Sequence, residues 1–143
     1  MTKVDFKKIM ISKHYRSISA IFLAGFGMWV TAGLWHNLIL PIFFPANHAS
    51  HEGILIGLLA YMLLAGVMVY LYPFYAKNEN NILKGFVFGM IIGFLWVFPH
   101  GLALAGTHDT SILYEVKNGI YHLFEQGIGG MVVSLVLNKT LKN

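Results

Sequence analysis

Four stretches of apolar residues joined by short polar segments take up nearly all of this 143-residue chain, and about 20 such residues suffice to cross a hydrocarbon core of roughly 30 Å. Hydrocarbon offers the backbone no water, so each stretch must satisfy its own N–H and C=O groups, which an isolated segment does as an α-helix. The sequence therefore predicts an all-α integral membrane protein, a four-helix antiparallel bundle. Residues 1–143 form a single domain, with spans at about 18–40, 53–75, 82–105 and 117–138. The composition agrees: 57% of residues are hydrophobic and 11% charged, too apolar for a soluble domain of this length.

The charges report orientation. Residues 1–17 carry Lys3, Lys7, Lys8, Lys13 and Arg16 against Asp5, which predicts a basic cytoplasmic lead-in near anionic headgroups. The apolar run that follows is long for a signal core and lacks a small-x-small cleavage site, so a span is expected rather than a secretory signal. Nine of the ten Lys and Arg residues fall on the side of the two ends, and only Lys117 falls opposite. The positive-inside rule then predicts both termini in the cytoplasm, and a bacterial inner membrane is the expected location. The basic residues are dispersed and accompany no nucleic-acid motif, so no nucleic-acid partner is expected. The expected partners are the lipid bilayer and either another membrane protein or a second copy of the chain. With no cysteine in the chain, disulfides and thiolate ligands are excluded.

Within this frame the ionisable residues inside the spans stand out, because they are costly there unless answered. His122 and Glu125 lie three residues apart on one face of the fourth span, followed by Gly129. In the first span Gly25, Trp29, Ala32, Gly33 and His36 recur at three- and four-residue steps. In the third, Gly85, Gly89 and Gly93 lead along one face to His100, which follows Pro99. In the second, Gly53 and Gly57 form a small-residue pair suited to close helix contact. At about 1.5 Å per residue, His36, His100 and His122 agree in depth to roughly one helical turn in the outer leaflet. Glu125 lies one turn deeper. His51 and Glu52 are expected at the outer rim, where Asn47 or Ser50 would cap the second helix and Glu52 would favour its positive end. Residues 106–116, with His108, Asp109 and Glu115, are expected to form a water-facing loop.

Three occupants suit such a layer. A transition metal (zinc, iron, manganese or copper) matches imidazole with carboxylate, with His36, His100, His122 and Glu125 as ligands and Gln126, Asn37 or Tyr121 orienting them. Haem b matches a pair of these histidines, with Gly33, Gly101 and Gly127 leaving room for a flat macrocycle. The third is no cofactor at all, the same residues forming an outward-facing proton or small-molecule site. The inner halves of the spans carry no matching ionisable residues, which speaks against a through-membrane path. Ser111 and Ser134 lack partners at the histidine layer, so no catalytic residue is assigned. A metal or haem site is the leading expectation; an accessory or structural subunit of a larger membrane complex is the alternative.

Overall fold

The computed structural model describes the backbone of residues 3–43, 51–77, 81–108 and 110–141, and the side chains of 14–43, 52–77, 81–108 and 110–137. Among these residues there is no strand. The chain forms α1 (Lys3–Leu34), α2 (His51–Ala76), α3 (Ile82–Thr107) and α4 (Ile112–Leu141). Four segments are long and apolar enough to cross a membrane: His14–Ile42, Glu52–Ala76, Ile82–Thr107 and Ile112–Leu137. Large apolar side chains such as Phe22, Phe26, Leu55, Leu63 and Phe94 point outward. Lipid tails are as apolar as leucine, so contact between these helices rests on close packing and polar contacts.

The tightest seam joins α3 to α4. A Cβ built at Gly85 would meet the carbonyl of Gly130 and the side chain of Ser134, one at Gly89 the backbone of Gln126, and one at Gly93 the carbonyl of His122. The contacts thus descend one helix as they climb the other. The three glycines that the sequence places on one face of α3 let its backbone lie against that of α4. Asn81 starts α3: its side chain accepts from the Lys84 amide at 2.7 Å, a cap contributing about 1 kcal/mol. Its carbonyl accepts from Ser134 Oγ at 2.9 Å.

The interior is closed where α1 begins and α4 finishes. Ala20, Ala24, Met28, Leu64, Met68, Tyr72, Phe88, Val133 and Leu137 form one apolar core there. The Phe88 ring holds α2 to α3, its centroid 5.3 Å from that of Tyr72 and 5.2 Å from that of Tyr75. Toward the opposite end α2 and α3 diverge.

Several expected boundaries shift. The basic lead-in is continuous with the first span, because α1 runs unbroken from Lys3 to Leu34; lysine and arginine are themselves good helix formers. The far end of that span is not a plain stop at Pro41. A π turn at Trp35–Ile39 is followed by a 3-10 turn at Leu40–Ile42. Proline lacks an N–H and collides with the carbonyl four residues back, and the irregularity spreads upstream from it. α4 begins at Ile112 rather than near Lys117, so the connection from α3 is shorter than 106–116. Ser111 precedes two apolar residues and Glu115 falls in the first turn, where a carboxylate complements the helix dipole. α3 continues beyond Pro99 to Thr107, and α2 contains Pro73.

Candidate functional site: a buried His–Glu pair beside a cavity

Glu125 is fully buried. Its Oε2 lies 2.8 Å from His122 Nδ1, and its Oε1 accepts from Gln126 Nε2 at 3.4 Å. The spacing of three residues places the imidazole one turn above the carboxylate. From α2 the Tyr61 hydroxyl comes within hydrogen-bonding reach of the same carboxylate, while the Tyr121 hydroxyl faces Glu125 and Thr31. No lysine or arginine is among these groups. A fully buried carboxylate with an uncompensated charge is strongly disfavoured, and His122 is the basic side chain in contact with it.

The pair is close but imperfectly aligned. Glu125 Oε2, His122 Nδ1, Tyr121 Oη and Gln126 Oε1 are all buried without an aligned hydrogen bond. Each such atom costs about 1–3 kcal/mol when nothing answers it, and four of them at one depth make a polar locus in an otherwise apolar interior. With Nδ1 turned to Glu125, Nε2 is the ring nitrogen of His122 left for another partner.

The end of α1 closes one side. The Trp35 ring stacks on Tyr121 with centroids 4.4 Å apart and planes 2° from parallel, and its Nε1 donates to Asn118 Oδ1 at 3.3 Å. The π turn carries His36 next to it, with its ring 6.1 Å from that of His122 and 6.4 Å from that of Tyr121. Turns of this kind recur at functional sites because the added residue rotates the side chains that follow. At the end of α1 Lys117 Nζ sits 4.6 Å above the Phe43 ring.

On the other side α2, α3 and α4 enclose a half-open cavity of about 270 Å³ whose walls include Tyr61, Trp96, His100, Glu115, His122 and Gln126. Gly57 also lines it and has nothing within 4 Å of a built Cβ. Gly57, expected with Gly53 to bring α2 against a neighbour, therefore opens space here instead. Glu115 is the other departure from expectation. It lies on α4, not in a water-facing loop, is 8% exposed, and its Oε2 lies 3.0 Å from a Cβ built on Gly101.

Of the sequence-derived site residues, His122 and Glu125 are paired, His36 stands beside His122, and His100 shares the cavity wall with His122. His36 and His100 are both exposed residues. Glu52 is exposed in the first turn of α2 and does not join the cluster. The side chain of His51, together with Asn47, His48, Ser50 and Asp109, lies outside the described residues. Asn37 turns away, donating to the Gly33 carbonyl at 2.8 Å, because it lies on the π turn and bonds back along its own helix. Among the described residues no three His, Asp or Glu side chains converge as a metal-binding group. Two of the glycines expected to leave room for a macrocycle are filled, Gly101 by Glu115 and Gly127 by the Phe86 ring. Trp35, Tyr61 and Glu115 belong to the site without having been expected there. No protein-family model, curated protein or solved structure matches this chain.

Proposed function

We propose that this chain is a bacterial inner-membrane protein whose four helices run antiparallel with both termini in the cytoplasm. In this reading its outer-leaflet His/Glu cluster is an outward-facing binding site for a small molecule. His122, held through Nδ1 against Glu125, offers its other ring nitrogen to the ligand. The observation that carries this reading is the contact between His122 and the fully buried Glu125 at the wall of an open cavity. Tyr61, Tyr121 and His36 are the other polar side chains that face the pair. The apolar core below Glu125 supports a site that binds from one side.

A transition metal is the second reading, favoured by the 6.1 Å between the His36 and His122 rings. In that case Glu125 would be the carboxylate that orients a ligating histidine, a common arrangement, and not itself a ligand. Haem b loses the slots that Gly101 and Gly127 were to provide. Assembly with another membrane protein or a second copy fits either of the first two readings.

Two experiments test the proposal. Metal analysis and an absorption spectrum of the purified protein are expected to show neither stoichiometric metal nor a Soret band. Metal that disappears in His122→Ala would favour the second reading. The chain has no cysteine, so single replacements report topology cleanly. Thiol reagents applied from outside are expected to label His108→Cys and spare Lys77→Cys; the reverse pattern would overturn the orientation.

A further inference from the structure

Resting on the cavity reading above, we propose that the cavity between α2, α3 and α4 takes an ammonium group, protonated or quaternary, carried on an apolar body. The walls attract positive charge and supply none that is fixed. Glu115 is a buried carboxylate at the wall. Gln126 is 1% exposed, with its amide nitrogen turned to Glu125 and its Oε1 a buried acceptor without a partner. A protonated ammonium donates an N–H to such an acceptor, and a quaternary one sets its positively polarised methyl C–H groups against it, whereas a ligand that only accepts leaves it orphaned. Tyr61 and Trp96 add aromatic walls, and aromatic faces attract cations most strongly where water is excluded. Neither lysine nor arginine lines the cavity, so no permanently charged group there neutralises a phosphate or carboxylate.

Size and access point to the same ligand. The volume of about 270 Å³ falls just below the roughly 300–1,000 Å³ of pockets that enclose drug-sized molecules. The cavity therefore holds a headgroup or one ring and leaves a longer apolar part outside. Trp96 and its neighbour Leu95 are 60% and 63% exposed, so the α3 side of the opening is apolar and suits a tail lying in the outer leaflet. The ammonium group comes either from a free amphipathic amine or from a choline or ethanolamine lipid headgroup.

The test uses the full chain in phosphatidylglycerol nanodiscs, which contain no ammonium lipid. Its probes are benzyltrimethylammonium and a neutral isostere carrying tert-butyl in place of trimethylammonium. Saturable binding of the ammonium probe is expected, weakened at least about 10-fold in the isostere and in Glu115→Gln. Gly57→Phe, made where there is room for a side chain, is expected to abolish it without unfolding the protein. Discs of phosphatidylcholine then separate the sources: competition of the probe by this lipid identifies the headgroup, and unchanged affinity identifies free amines. If probe and isostere bind equally and both are lost in Gly57→Phe, the ammonium assignment falls and the cavity reading stands. If neither shows binding sensitive to Gly57→Phe, both fall.

Discussion

A Cβ built on Gly93 of α3 would lie 2.8 Å from the carbonyl oxygen of His122 in α4. The glycine thus sets how near the helix bearing the His–Glu pair comes to α3. Gly93→Val is expected to force the seam apart and to cost about 1–3 kcal/mol, as overpacking generally does. Gly27→Ala, at a position with nothing within 4 Å, is the control and is expected to change little. Thermal unfolding of the two variants in detergent decides; equal losses would mean that the α3–α4 seam is not close-packed at Gly93.

The His122–Glu125 contact makes a sharper expectation. Removing one member of a buried pair leaves the other unanswered and costs about 3–5 kcal/mol. His122→Ala alone is expected to be severe, because Glu125 keeps only weak contacts to Gln126 and Tyr61. Glu125→Gln is expected to be milder, since an amide still offers His122 an acceptor. The double variant should fall short of the sum of the singles by about 0.5–3 kcal/mol. Additive losses in denaturation would show that the two side chains act independently.

The spans were readable because apolar length has one physical meaning in a bilayer, and glycines at four-residue steps marked the face of α3 that packs closely, though not that α4 would fill it. The pairing of His122 with Glu125 followed from helical spacing, and depth counted along two helices brought His36 toward His122. Tyr61 was not readable: a single hydroxyl within an apolar helix breaks no periodicity, and only the packing of α1, α2 and α4 aims it at Glu125. Glu115 was misplaced because Lys117 looked like the edge of the bilayer, whereas the helix begins a turn earlier. Gly57 shows the limit of small-residue pairs, which mark where a helix offers room but not whether a neighbour fills it.

The Tyr121 hydroxyl offers a clean substitution. Tyr121→Phe keeps the ring stacked on Trp35 while removing a buried oxygen that lacks an aligned partner. Because an unanswered polar atom costs about 1–3 kcal/mol, the variant is expected to be as stable as the parent or more so. A loss of more than about 1 kcal/mol would show that the hydroxyl has a working partner at Glu125 or Thr31.

At the other end of the molecule, Asn81→Ala is expected to cost about 1 kcal/mol through loss of the α3 cap. It should leave the Asn81 carbonyl free to accept from Ser134 as before. Ligand binding at the proposed cavity site should be unchanged, because the cap lies beyond the apolar core. A change in affinity in this variant would mean that the two ends of α3 are coupled.

The Phe88 contact with Tyr72 and Tyr75 fixes one end of α2. Gly25 of α1, whose built Cβ would meet Met62 and the Tyr61 carbonyl, fixes the helix again about 16 Å farther on. Past that second point only about 6 Å of helix, from Tyr61 to Gly57, borders the cavity. Turning so short a segment by about 5° moves its end by only about 0.5 Å. The width of the opening beside Trp96 is thus held nearly constant by a glycine on the one helix that does not line it.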